Sequence, residues 1–204
     1  RRILDRLPAD RQNLMFSATF SSEIRKLAQS FLHDPATVDV SPKNTAAETV
    51  EQRVIRVDQS RKTDLLGELL REDGESQALV FTRTKHGANR LTRKLEQKGI
   101  TAAAIHGNKS QAARIRALKD FKEHKIQTLV ATDIAARGLD IEQLPRVFTF
   151  ALPEVPEDYV HRIGRTGRAG ASGNALNQVS GAEVGRQRAI EKVLRRQLPD
   201  ETIT

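Results

Sequence analysis

Four short apolar runs, QALVFT, TAAAIHG, IQTLVAT and RVFTFAL, recur between residues 77 and 152, and stretches with helical periodicity separate them. TVEQRVIRVD precedes the set and GNALNQV follows it. This alternation is the strongest constraint on the fold. Strands that take turns with amphipathic helices bury their apolar residues in a mostly parallel sheet with helices on both faces. The expected class is therefore α/β, and the helix boundaries are readable one by one. Ser60 is placed to cap a helix whose Leu65, Leu66, Leu69 and Leu70 face inward. Ala88, Leu91 and Leu95 share one face of the next, which Gly99 stops. Ser110 opens a helix carrying Ile115, Leu118 and Phe121. A short helix starts at Pro156, with Glu157 and Asp158 suited to its first turn, and a last one bears Ile190, Val193, Leu194 and Leu198.

Upstream, NLMFSAT reads as a strand, and Ile24, Leu27, Ala28, Phe31 and Leu32 then recur at helical spacing. The stretch HDPATVDVSPKNTAAE carries two prolines among polar residues and reads as a linker. The expected organisation is a strand–helix piece over 1–41, a linker over 42–49 and a complete α/β unit over 50–204.

In doubly wound parallel sheets, ligands sit beyond the carboxyl ends of the strands. The chemically informative residues fall there: Thr82 to Lys85 after the second strand, His106 and Gly107 after the third, Thr132 and Asp133 after the fourth. A further stretch, HRIGRTGRAG, crowds three arginines and three glycines into ten positions. Glycines allow close backbone approach, and guanidinium forks match phosphate oxygens. A phosphate site built partly of arginine is one reading; a solvated basic loop is the other. The balance of 34 Lys and Arg against 26 Asp and Glu, a formal charge of +8, favours a polyanionic partner, nucleic acid first. With no cysteine, disulfides and thiolate metal sites are excluded, and the five scattered histidines show no ligand spacing, so no metal site is expected. No run of residues has the length and apolarity of a bilayer-spanning helix, and no signal peptide is visible.

SAT at 17–19, VFTRTK at 80–85, ATDIAARGLDI at 131–141 and HRIGRTGRAG at 161–170 resemble, in order and spacing, motifs III to VI of the DEAD-box ATP-dependent RNA helicases. IHGNKSQAAR and LPEVPEDYVHRIGRTGRAG resemble the bacterial RhlE-type subgroup. The resemblance covers essentially the whole chain. It implies the tail of a first RecA-like, ATP-binding domain over 1–41 and a whole second RecA-like domain over 50–204. Arg165 and Arg168 are implied as arginine fingers, with Gly138 and Asp140 on the nucleotide. Thr82, Arg83, Lys85, Gly107, Gln111, Arg114, Thr132 and Arg137 are implied as a track along the RNA backbone. Ser17 and Thr19, with His161 and Arg162, are implied to couple ATP hydrolysis to unwinding.

The residue chemistry agrees with these roles. Phosphoryl transfer depends on positioning and on neutralising γ-phosphate charge, which an arginine from a second domain supplies only on closure. Few aromatic residues interleave the basic ones, and Tyr159 is the only tyrosine, so backbone contact rather than base stacking is expected. Neither GxxxxGK[ST] nor a DEAD tetrapeptide occurs within the chain. The resemblance then places the P-loop and the Mg²⁺-holding carboxylates in the remainder of the first domain. The chain, opening on Arg1 with Met15 its one methionine, reads as an excised, inactive piece of a cytoplasmic helicase that uses ATP, RNA and its own first domain as partners. A non-catalytic RNA-binding module of the same fold is the alternative.

Several positions stand apart. Asp133 reads equally as a helix or turn cap and as a functional carboxylate. Thr149 and Ala151 occupy positions where the family usually has Asn and Asp. Asn177 and Gln178 fall on opposite faces of an otherwise apolar strand, so at least one is buried, at a cost of about 1–3 kcal/mol if unpartnered.

Overall fold

The computed structural model describes residues 6–8, 10–17, 22–38, 50–72, 74, 76–137, 139, 141, 144–167 and 173–202. It divides into two compact units, Arg1–Pro42 and Lys43–Thr204. The expected linker, 42–49, lies outside the described residues.

In the first unit, helix α1 spans Ser22–Gln29. The expected strand at NLMFSAT is not formed over the described residues 13–17, which run without a ladder partner. A strand needs a lateral partner for its backbone groups, and none stands beside it among the described residues of this unit. Leu14 and Phe16 are accordingly left 70% and 88% exposed. Asn13 instead donates from Nδ2 to the Phe31 carbonyl.

The second unit is one seven-stranded sheet in the order β3-β4-β2-β5-β6-β1-β7, parallel throughout. The strands are β1 (Val50–Arg56), β2 (Ala78–Thr82), β3 (Ala102–Ile105), β4 (Thr128–Thr132), β5 (Arg146–Thr149), β6 (Gly173–Val179) and β7 (Asp200–Thr202). Helices α2 (Lys62–Glu72), α3 (Lys85–Gln97), α4 (Gln111–Lys122), α5 (Asp133–Ala136), α6 (Asp158–Ile163) and α7 (Val184–Leu194) connect them. The strand period of two sorts side chains between the faces. Val80, Val130 and Phe148 pack with Leu66, Leu70, Leu91 and Leu95 of α2 and α3. Their neighbours Leu79, Phe81, Leu129 and Val147 pack on the other face with Ala117 and Phe121 of α4. Val54, Ala175 and Val179 complete a third cluster with Tyr159 and Ile163 of α6 and Ile190 and Leu194 of α7.

Most boundaries follow their local signals. Thr84 and Ser110 cap α3 and α4, accepting from the amides of Gly87 and Ala113. Gly99, at φ +79°, ends the α3 turn. Three expectations need correction. Ser60 does not cap α2, because Arg61 supplies the carbonyl that accepts from Leu65. Ile115 is 57% exposed; the short β3 leaves the outer side of α4 uncovered, and only Ala117 and Phe121 of that helix are buried. Leu198 lies beyond α7 and is buried as the chain turns into β7, an edge strand whose entry bonds the Pro199 carbonyl to the Val54 amide.

Candidate functional site

The register of the sheet decides which motif residues meet. Thr82 pairs with Thr132, Ile105 with Ala131 and Phe81 with Thr149, so β2, β3, β4 and β5 end almost level. Residues that are far apart in sequence are thereby delivered to one sheet edge. Arg83 and Lys85 leave β2 there, Gly107 leaves β3, and Arg137 follows α5. Gln111 and Arg114 occupy the first turn of α4, with Arg114 Nη1 donating to Gln111 Oε1 at 3.3 Å. Arg83 lies 3.8 Å from Glu154, an exposed and weak pairing. Lys85 and Gly107 are exposed. Thr82 differs: it is only 2% exposed, and its hydroxyl points toward the carbonyls of Thr84 and Ala131. Thr132 is half-buried and makes no side-chain cap to α5.

His106, beside this edge, is 3% exposed. Its Nε2 meets Asn89 Oδ1 at 3.0 Å and its Nδ1 accepts from the Asn108 amide. That pattern fits a neutral ring protonated on Nε2. Burial, reinforced by Lys109, Lys85 and His86, holds its pKa below the ordinary histidine value.

The arginine-rich stretch resolves into residues with different occupations. Arg162, on α6, is buried: Nε and Nη2 grip the two oxygens of Asp133 at 2.6 and 2.8 Å, and Nη1 donates to the Ala151 carbonyl at 2.6 Å. Its guanidinium also lies 5.1 Å from the Phe81 ring centroid. A planar fork satisfied on every side ties α5, the β5 exit and α6 together. This settles the occupation of Asp133, the carboxylate that the sequence left open. It also explains the tolerance of Ala151, because that position is engaged through its backbone, the carbonyl by Arg162 and the amide by the Phe81 carbonyl.

Arg165 is half-buried at the end of α6 and donates from Nη1 to the Leu139 carbonyl at 2.9 Å. Arg137 pairs with Asp158 at the first turn of α6. Arg137, Asp158, His161 and Arg165 surround a narrow crevice floored by Phe81 and Arg162. Burial and the Arg137 charge lower the pKa of His161. The donor set on this wall, guanidinium with a neutral imidazole beside it, fits phosphate oxygens.

The loop that carries Arg165 is itself pinned. The Thr166 hydroxyl donates to the Leu144 carbonyl, and the Leu144 amide donates to the Arg165 carbonyl. Gly167 takes φ +66°. A Cβ on Gly173 would overlap the Thr166 hydroxyl and the Gly167 amide, so only glycine lets β6 begin so close to this loop. Thr19, Gly138, Asp140 and Arg168 lie outside the described residues. Ser17 is half-buried in the first unit.

Beneath the site runs a polar network that the sequence showed only through its two odd amides. Asn177 and Gln178 are both fully buried. Asn177 donates to the Arg53 carbonyl and the Tyr159 hydroxyl, and Tyr159 donates to Gln52. Gln178 donates to the Lys62 carbonyl. Lys62, also fully buried, donates from Nζ to Glu183 and to the carbonyls of Phe150 and Gln178. Glu183 accepts further from the Leu152 amide and from the Ser180 amide and hydroxyl. Burial opposes the charge of Glu183, but Lys62 and Ser180 prevail and hold its carboxyl below the ordinary range. Phe150 and Leu152 flank Ala151, so this ion pair fixes the segment that receives Arg162. Neither Lys62 nor Glu183 stands out in sequence, where each reads as one more charge on a helix.

Among the described residues, no three His, Asp or Glu side chains are gathered as metal ligands. No helix among them is long and apolar enough to cross a membrane.

Residues 61–170 match the helicase conserved C-terminal domain. The chain is 43% identical over 196 residues to the ATP-dependent RNA helicase CshA of Listeria monocytogenes, covering 96% of this chain and 38% of that protein. It is 42% identical to the DEAD-box ATP-dependent RNA helicase CshA of Bacillus subtilis, with 96% and 40% covered. It thus spans about two fifths of the length of these curated relatives. The structure of Saccharomyces cerevisiae Dbp5 bound to RNA and ADP BeF3 aligns with a TM-score of 0.88 and 30% identity, over 98% of this chain and 54% of that one. A DEAD box protein from Methanococcus jannaschii aligns at 0.72 and 34%, over the same shares. The DEAD-box resemblance read from the motifs is matched by these relatives, which carry the CshA name among bacteria. The parallel RecA-like sheet is matched by the solved structures.

Proposed function

The chain belongs to the helicase conserved C-terminal domain family, and from that premise we propose that it is the carboxyl-terminal RecA-like part of an ATP-dependent RNA helicase of RhlE type. The observation that carries this reading is the level ending of β2, β3 and β4, which lines Arg83, Lys85, Gly107, Gln111, Arg114 and Arg137 along one edge, with Arg165 on the adjoining crevice wall. Basic side chains and helix-start amides on one edge suit a sugar–phosphate backbone, and weak sequence preference follows from the scarcity of aromatics. Thr82, buried with its hydroxyl turned inward, would act by shaping the β2 exit.

In this reading ATP is held between two RecA-like domains, with Mg²⁺ and the P-loop on the first. ATP supplies the free energy that drives closure on RNA and release. Arg165, together with Arg168, would donate to the γ-phosphate from this side, and Gly138 and Asp140 would meet the nucleotide. His161 and the Arg162–Asp133 clamp hold α6 so that Arg165 faces the crevice. Ser17 and Thr19 would act at the other unit. Action in the cytoplasm is part of this proposal.

The test is Arg165→Ala in the two-domain protein at saturating RNA. ATP turnover should fall by about 10³-fold or more, the contribution of an arginine finger, while RNA affinity of the 204-residue chain stays within about twofold. Turnover within a few-fold of wild type refutes the assignment. Phosphate release by this chain alone should be absent, and appreciable turnover would overturn the two-domain reading. A non-catalytic RNA-binding module would show unchanged RNA binding and no ATP turnover in the longest natural chain.

A further inference from the structure

We infer that His106 is a positioning residue for RNA: its ring ties the turn that opens α4, which carries Gly107, Gln111 and Arg114, to the start of α3, which carries Lys85. This role rests on the RNA track proposed above. His106 is 3% exposed, so it lies beneath that edge and acts through residues that reach the surface.

Burial shows why an anchor is needed. His106 is the last buried residue after β3, and none from 107 to 116 is buried. The start of α4 therefore has no apolar hold, although three track residues lie on it. The turn is closed by His106 instead. The Lys109 amide donates to its carbonyl at 3.0 Å, and the Asn108 amide donates to its Nδ1 at 3.3 Å. The ring thereby serves the turn as an Asx side chain would. Beyond its chain neighbours, a Cβ on Gly107 would meet nothing within 4 Å, which leaves the turn open to a sugar–phosphate backbone.

The tautomer is forced. A backbone amide can only donate, so Nδ1 accepts from Asn108 and the proton of the neutral ring sits on Nε2. Nε2 then donates to Asn89 Oδ1 at 3.0 Å. Burial and the charges of Lys109, Lys85 and His86 disfavour the doubly protonated ring that would break this pattern. Asn89 stands four positions after Lys85, one turn along the same side of α3. That helix is held independently, because Ala88, Leu91 and Leu95 are buried in the core. The ring carries the position of a fixed helix to a turn without an anchor of its own. Its nitrogens have separable tasks: Nε2 orients the ring, and Nδ1 sets the turn.

Two amide replacements separate these tasks. In His106→Asn, Oδ1 stands as many bonds from Cβ as the ring Nδ1 and still accepts from Asn108. In His106→Gln, the amide nitrogen matches the ring Nε2 and still donates to Asn89, but the acceptor for Asn108 is gone. Binding of fluorescent single-stranded oligouridylate to the 204-residue chain is followed by anisotropy against salt, below each variant's melting point. His106→Gln should weaken binding by about tenfold, the worth of one charged contact. Its slope of log K against log salt should be shallower by about 0.7 or more, one phosphate contact on a single strand. A buried neutral residue alters that slope only through the cations it places. His106→Asn should stay within about threefold of wild type at an unchanged slope, even with a lower melting point. Arg114→Ala should lose less in the His106→Gln background than in wild type, because its contact is already displaced. In the two-domain protein, His106→Gln should raise KM for RNA and leave kcat at saturating RNA within about twofold.

Unchanged RNA affinity in Arg114→Ala would remove the track, and the role of His106 with it. The positioning role alone is overturned if Arg114→Ala weakens RNA while His106→Gln does not. It is also overturned if the two losses add in full, if His106→Gln loses affinity at an unchanged salt slope, or if His106→Asn loses as much as His106→Gln. Where His106→Gln fails to fold, His106→Asn decides: binding near wild type at the wild-type slope sustains the role, and a tenfold loss overturns it.

Discussion

Replacing Arg162 by leucine tests whether this buried arginine is a clamp or a coupling residue. Its side chain is 1% exposed, and that of its partner Asp133 is 21% exposed. Removing one member of a buried pair costs about 3–5 kcal/mol, and the residual water contact of Asp133 places this case near 3. Stranding the Ala151 carbonyl adds roughly 1 kcal/mol. Leucine against the Phe81 ring returns about as much through apolar contact. The net loss is about 3 kcal/mol. For a chain of this size each kcal/mol moves Tm by about 2–4 °C, so calorimetry of the isolated 204-residue chain should record a fall of roughly 6–12 °C. The double replacement Arg162→Leu with Asp133→Leu should recover part of that loss, because an apolar pair leaves no unpaired charge. A melting point within about 1 °C of wild type would refute the clamp and return Arg162 to a role felt only when two domains meet.

Three further outcomes follow from the buried polar groups. Lys62→Met leaves the Glu183 carboxylate without its cation and two carbonyls without a donor, and should cost about 3–5 kcal/mol by urea unfolding. Burial already holds the Lys62 pKa below the ordinary lysine value against the raising effect of Glu183, so Glu183→Gln, which removes that counter-charge, depresses it further. The ammonium form then penalises folding below the unfolded lysine pKa, and the deficit against wild type should shrink as pH is raised from 7 toward 10; a constant deficit would count against it. His106 has a folded pKa below its unfolded one, so the unfolded chain takes up the proton first and the stability it lends is lost as pH falls below about 6.5. Its ring should stay neutral by NMR at pH values where exposed histidines are charged, and the slope should flatten in His106→Gln.

How much of this was readable in the sequence depends on the range of the interaction. The helix caps at Thr84 and Ser110 and the stop at Gly99 are local, and Ser110 and Gly99 were legible because three or four residues contain their whole physics. Strand faces were legible for the same reason, since a period of two needs no partner to be seen. The strand expected at NLMFSAT is not formed over its described residues 13–17 because a strand is stabilised by its neighbour, and Ile115 failed because its helix is wider than the edge strand it covers. Lys62 and Glu183, 121 positions apart, carry no local mark. Only the oddity of Asn177 and Gln178 hinted that polar groups meet under the sheet.

The same range argument divides the arginines of one motif. Residues 161–167 run from the last turn of α6 into the loop that follows, yet Arg162 and Arg165 are three positions apart and face opposite demands. Arg162 points into the sheet, where Asp133 and Ala151 take up its fork; Arg165 lines the crevice, with Nη1 donating to the Leu139 carbonyl. A side chain that is satisfied inside the domain cannot also neutralise a ligand without paying for a broken ion pair. The glycines serve this division rather than flexibility: Gly173 admits the Thr166–Gly167 turn against β6, and that turn sets the direction of Arg165. Gly173→Ala should therefore displace the loop that carries Arg165. In the two-domain protein ATP turnover should fall with little change in RNA affinity, while calorimetry of this chain shows a loss of about 1–3 kcal/mol from the overlap. Unchanged turnover in a folded Gly173→Ala protein would mean that the loop's placement does not govern the arginine.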